Sequence, residues 1–168
     1  QGDIGQMTCK EAKIQAKRTL SGKRYQHTVN VKKMAVKLAL RYGVDPEKAA
    51  LAAWLHDLAK ELPRAELLQI MRDNAIMAQN AETRPSPVWH GICAAILAKT
   101  KWGVDDEEIL QAVACHTTGR PGMTKLDKIL FLADMTSAER TCSRKTTQTR
   151  ATMIDSSISV PLRVSIAR

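Results

Sequence analysis

Val31, Met34, Ala35, Leu38 and Tyr42 fall three and four residues apart, the spacing that lines up one buried face of a helix. No stretch of the chain sets against this the strand alternation bounded by hairpin turns that a sheet needs. The expected class is all-α, a bundle of about seven helices. Residues 8 to 20 form an amphipathic first helix, and Ser21-Gly22 breaks it and offers a serine cap to the second, which runs from about Arg24 to Arg41. Asp45-Pro46-Glu47 is a start signal, a capping aspartate followed by proline at the first helical position. The third helix then covers about 46 to 60 and carries His56 and Asp57 in its last turns. Pro63 opens a fourth, with Leu67, Leu68, Ile70 and Met71 inward, and Asn74 to Pro87 reads as irregular. A fifth spans about Val88 to Lys101 with His90 near its start. Trp102-Gly103-Val104-Asp105 repeats the turn-and-cap arrangement before a sixth that ends around His116. After the polar loop Thr117 to Gly122, a seventh from Thr124 to about Ala138 presents Asp134.

A chain of 168 residues is most simply one domain, placed here at residues 8–140. From Arg140 onward the composition changes to Thr, Ser, Arg and Gln with poor helical periodicity, so residues 141–168 are expected to be a loosely ordered tail, with a weak edge strand or terminal helix as the alternative. From Arg140 onward, six Lys/Arg against one acid, Asp155, carry +5 of the +9 net charge. The remaining body suits a phosphate-bearing small substrate better than nucleic acid, since basic residues are not interleaved with aromatics, which make up only 4%. No apolar run approaches a membrane span, and no signal-peptide core is present. Cys9, Cys93, Cys115 and Cys142 show no CxxC spacing, which points to inert thiols in a reduced, cytoplasmic protein. Cys115 beside His116 invites a nucleophile reading, but adjacent helical residues diverge.

The chemistry lies in the histidines. His56-Asp57 within Leu51-Ala52-Ala53-Trp54-Leu55-His56-Asp57-Leu58-Ala59-Lys60 pairs a long imidazole with a short carboxylate. Helical neighbours point about 100° apart, yet two such side chains can converge on one ion beside the helix. Imidazole plus carboxylate suits Fe, Mn, Co or Zn. The chain has four histidines, His27, His56, His90 and His116, each near the end of an expected helix, and Asp57 and Asp134 hold comparable positions. Taken singly, each histidine is better explained as a core residue than as a ligand. Helix ends can cluster where a bundle opens into a pocket, and this set makes enough ligands for two metals.

The order His27, His56-Asp57, His90, His116, Asp134 resembles the HD-domain metal-dependent phosphohydrolases. The words Arg24-Tyr25-Gln26-His27-Thr28, His56-Asp57-Leu58-Ala59-Lys60, Trp89-His90, His116-Thr117-Thr118-Gly119-Arg120-Pro121-Gly122-Met123 and Phe131-Leu132-Ala133-Asp134 resemble the YqeK branch, the symmetrical bis(5'-nucleosyl)-tetraphosphatases. The resemblance implies cleavage of diadenosine tetraphosphate into two ADP. It implies that His27, His56, Asp57 and Asp134 hold one metal and that His90 and His116 hold a second, with Asp57 bridging. The implied metal is iron, with Mn or Co as alternatives, and the implied assembly is a homodimer. Met135-Thr136-Ser137-Ala138-Glu139-Arg140 departs from the proline-containing turn the family has there.

Around that centre, Arg120 could grip phosphate oxygens bidentately. Lys60 and Arg24 could contact phosphates or be solvated. Thr117, Thr118 and Gly119 could offer hydroxyl and N–H donors, although Gly119 could equally serve only a tight turn. Trp54 reads as core; Trp89 and Trp102 read as core before base-stacking platforms. Two other functions fit the residues: another HD-type hydrolase acting on a nucleoside mono- or triphosphate or a cyclic nucleotide, and a nucleotide- or RNA-binding module with a structural metal.

Overall fold

The structure, a computed structural model, describes residues 6–75 and 85–137. Among these residues it is all helical: α1 (Cys9–Thr19), α2 (Gly22–Tyr42), α3 (Pro46–Leu55), α4 (Arg64–Asp73), α5 (Trp89–Thr100, entered through a 3-10 turn at Ser86–Val88), α6 (Glu107–Cys115) and α7 (Lys125–Thr136). The tail expected over 141–168 and Cys142 lie outside the described residues. None of the described helices is long and apolar enough to cross a membrane.

Local chemistry sets where the helices begin. Thr8 and Glu11 form a capping box for α1, Ser21 accepts from Arg24 N, and Asp45 accepts from Glu47 N ahead of Pro46. Each satisfies amide groups that a helix start leaves without partners. At α6 the cap is Asp106 rather than the Asp105 of the expected turn-and-cap word; its Oδ1 accepts from Glu108 N and Ile109 N. Gly43 closes α2 in the left-handed region at φ 70°, a conformation that costs glycine nothing.

Helix α3 is the axis of the bundle. Every residue from Ala49 to Ala59 is buried, and α1, α2, α5, α6 and α7 all pack on it. A helix apolar all round belongs inside a protein rather than on its surface. Its alanines let neighbours approach closely, while Leu55 and Leu58 fill the space beside the His56-Asp57 pair. Cutting either leucine to alanine would cost about 2–5 kcal/mol. Trp54 and Trp89 are also core, at 4% and 3% exposure, so neither offers a face to a base. Trp102 is half-buried and packs against the core.

The third helix stops earlier than expected, at Leu55 rather than about residue 60. His56 N still bonds Ala52 O, four residues back, but Leu58 N bonds Leu55 O and Lys60 N bonds Asp57 O, three back. The chain tightens into turns over 56–61 at the point where the two polar side chains appear.

Candidate metal centre

Five helix ends deliver the donors. His27 comes from the second turn of α2, His56 and Asp57 from the turn after α3, and His90 from the start of α5. His116 caps the end of α6, and Asp134 comes from the last turns of α7. Glu61 braces this end of the bundle: its carboxylate accepts from both Ser21 N and Ser21 Oγ at 2.7 Å. That pins the start of α2, with Arg24 and His27, to the turn that carries Asp57.

Three imidazoles are aimed by the same local device. His56 Nδ1 donates to Ala53 O at 2.6 Å, His90 Nδ1 to Pro87 O at 2.9 Å, and His116 Nδ1 to Val113 O at 2.7 Å, each three residues back. A carbonyl can only accept, so Nδ1 holds the hydrogen and Nε2 turns a lone pair inward. For His27 the partner is Ser137, whose Oγ lies 3.2 Å from His27 Nδ1 and donates to Asp134 O. Bonds of this kind from the far ring nitrogen fix the tautomer of metal-binding histidines.

Asp57 divides the set in two. Its Oδ2 lies 3.5 Å from His56 Nε2 and 3.8 Å from His27 Nε2. Its Oδ1 lies 3.2 Å from His90 Nε2 and 3.7 Å from His116 Nε2. On the first side, Asp134 Oδ1 approaches His27 Nε2 at 2.9 Å and His56 Nε2 at 3.7 Å. On the second, the Nε2 atoms of His90 and His116 are 3.1 Å apart.

These residues fit a metal. Two ligands each about 2.1 Å from one ion lie about 3–3.5 Å apart at ordinary bond angles. Lone pairs facing lone pairs at such distances are satisfied only by a cation or a proton between them. His56 Nε2 is buried without a hydrogen-bond partner among the described residues. Two compact donor groups stand out among the described residues, His27/His56/Asp134 and His56/Asp57/His116, their ligand atoms within 4.8 Å of one another.

The electrostatics agree. Burial holds the His56 and His90 imidazoles below their ordinary value of 6.5, which keeps them neutral. For Asp57 burial works upward, but the imidazoles of His56, His116 and His90 outweigh it and hold the carboxyl far below the usual carboxylate range. Asp134 follows the same balance, burial working upward and the imidazoles of His27, His56 and His116 prevailing over it. Neutral imidazoles and ionised carboxylates are the states in which these groups bind metals.

An open cavity of about 430 Å³ leads to the His27 side, walled by Arg24, Thr117, Phe131, Met135 and Ser137 together with His27, His116 and Asp134. Arg24 reaches in and donates Nη1 to Asp57 Oδ2 at 3.1 Å. Thr117 Oγ1 is buried in the wall with no hydrogen-bond partner among the described residues. Lys60 Nζ lies 3.5 Å from His90 Nδ1, on the outward side of that ring. Thr118 is exposed and its hydroxyl bonds Gly119 O, while Gly119 turns the loop at φ 66°. Arg120 does not line the cavity; it pairs with Asp127, which is fully buried. Cys115, next to His116, is buried against Ala112 O with its thiol pushed up to about 11 by that burial, which suits an inert role.

Two site residues were not found from the sequence. Ser137 falls in the segment that departs from the family pattern, and nothing in its spacing marks it as the partner of His27. Asp127 could have been read from Thr124-x-x-Asp127, a capping-box word, although that word does not disclose its bond to Arg120.

The profile of the HD domain family matches residues 24–139. The symmetrical bis(5'-nucleosyl)-tetraphosphatase of Bacillus subtilis is 42% identical over 128 residues, which is 76% of this chain and 68% of that protein. The protein of the same name from Halalkalibacterium halodurans is 42% identical over 115 residues, 68% of this chain and 61% of that one. The crystal structure of a predicted HD superfamily hydrolase involved in NAD metabolism from Clostridium acetobutylicum superposes with a TM-score of 0.80 at 34% identity, covering 92% of this chain and 80% of that one.

Proposed function

This chain belongs to the HD domain family, and from that premise we propose that it is a metal-dependent hydrolase that splits dinucleoside tetraphosphates symmetrically. Diadenosine tetraphosphate and one water give two ADP: the central phosphoanhydride P–O bond breaks and the water oxygen ends on one of the new terminal phosphates. The observation that carries the reading is the division of Asp57, one carboxylate oxygen toward each pair of imidazoles. The curated relatives named for this activity support the choice of substrate.

His27, His56, Asp57 and Asp134 would hold one ion, and His90 and His116 a second, with Asp57 shared. Iron is the proposed metal, with Mn or Co as alternatives. When bound, such a pair supplies Lewis acidity, polarising a phosphoryl oxygen and making water a nucleophile near neutral pH. The protein supplies placement. Arg24, at the cavity wall, sets a fixed positive charge where phosphate oxygens would lie. Lys60 adds a second cation on the His90 side and would offset charge on the departing ADP. The Thr117 hydroxyl, buried and unpaired, is positioned to hydrogen-bond a phosphate oxygen. Thr118 and Gly119 shape the loop over it, and Arg120 braces that loop against α7. The protein works in the cytoplasm, where thiols such as Cys93 and Cys115 stay reduced. It acts as a homodimer on a small-molecule nucleotide, without nucleic acid or membrane as partner.

Metal-loaded protein incubated with diadenosine tetraphosphate should yield ADP alone. ATP plus AMP, or no turnover, would defeat the proposal, and a panel of nucleoside mono- and triphosphates and cyclic nucleotides separates it from other HD-type hydrolases.

A further inference from the structure

Gly91 lies in the first turn of α5, one residue after His90, and is buried. Glycine is the poorest helix former after proline, and Gly91 is not among the glycines with positive φ. Backbone conformation therefore does not call for it. Its surroundings do. A Cβ built on Gly91 would lie 3.1 Å from each of three atoms: His116 Cε1, His116 Nδ1 and Val113 O. The last two are the pair whose 2.7 Å hydrogen bond sets the His116 tautomer. At Gly22, by contrast, a Cβ would meet nothing within 4 Å.

We propose that Gly91 is a positioning residue for His116. With no side chain there, the imidazole can sit close against α5 at Gly91 while keeping its bond to Val113 O. In that place its Nε2 comes within 3.1 Å of His90 Nε2 and 3.7 Å of Asp57 Oδ1. A methyl group at position 91 pushes the ring off the carbonyl or off Asp57, because the carbonyl itself is helix backbone and cannot yield. The effect falls on the His90/His116 half of the centre and leaves His27, His56 and Asp134 in place.

Two measurements on the full chain test this. The first uses metal-free protein and is independent of the proposed function. Gly91→Ala is made in the parent and in a His116→Ala background, where the ring is gone, and thermal unfolding is followed. The expected result is a lowered Tm, or no folded protein, in the parent, and less than half that loss beside His116→Ala, where two of the three close contacts have gone with the ring and only Val113 O remains. Equal shifts in the two backgrounds, including no shift in either, overturn the proposal. The second measurement rests on the metal reading of the site. Chelator competition and elemental analysis of Gly91→Ala should show one ion retained and the affinity for the other lowered about 10–100-fold, with Gly22→Ala unchanged in both respects. Two ions bound with parental affinity in Gly91→Ala overturn it.

Discussion

Arg120 places both Nε and Nη2 on a single oxygen of Asp127, Oδ2, at 2.9 and 2.7 Å. The same oxygen accepts from Thr124 N and so joins the cap of α7 to the loop that follows His116. The guanidinium is engaged with the protein's own carboxylate, and the loop between two ligand-bearing elements is closed by that charge pair.

Arg120→Ala therefore strips a buried carboxylate of its cation. The expected loss is about 2 kcal/mol, as for a charge-assisted hydrogen bond, read from urea unfolding of metal-free protein. Arg120→Lys keeps the charge but not the planar fork and should recover only part of it. A parental unfolding midpoint together with a raised KM would move the guanidinium from the brace to the substrate.

Asp57→Ala removes the carboxylate that faces both imidazole pairs. Metal content measured without chelator should fall on both sides, by more than the roughly 10–100-fold typical of outer partners of ligands, and hydrolysis should vanish with it. Full activity in this variant would rule out the bridging assignment.

Ser137→Ala leaves His27 in place but removes the oxygen beside its Nδ1. Affinity for the ion on the His27 side should drop about 10-fold, measured by chelator competition, while global stability changes little. An unchanged affinity would mean that the hydroxyl has no part in aiming the ring.

Stability of the metal-free protein should depend on pH in two windows. Folding depresses the His56 and His90 values below the ordinary 6.5. Between the folded and ordinary values the unfolded chain binds more protons than the folded one, so stability is present above about pH 6.5 and is lost as pH falls below it. Each imidazole contributes a slope of about 1.4 kcal/mol per pH unit. Asp57 and Asp134 are depressed from an ordinary 3.8, so their contribution is present above that value and is lost as pH falls below it. Melting temperatures that stay flat from pH 8 to 5 would contradict the first window.

How much of this was legible depended on whether the signal was local. Asp45-Pro46, Ser21 and the spacing from Val31 to Tyr42 fix helices through contacts within a few residues, and these helices start where those words place them. Four histidines are few enough for their order to be read, and that order with Asp57 and Asp134 carried the family resemblance; the structure brings the six side chains together. The end of α3 was not legible: whether residue 58 bonds three or four residues back depends on packing around Leu55 and Leu58, which come from no local word. The pairing of Arg120 with Asp127 and of His27 with Ser137 was hidden for the same reason. Those contacts span separate elements, and a single sequence does not say which polar groups will meet.

Three rings receive their orientation from a carbonyl one turn behind them, on their own stretch of backbone. Which nitrogen looks inward is thus set within each ring's own stretch of backbone, and the packing of the helices sets the spacing. An ion held there would be lost or replaced by adjustments of distance alone, with no ring flip or proton relocation along the way.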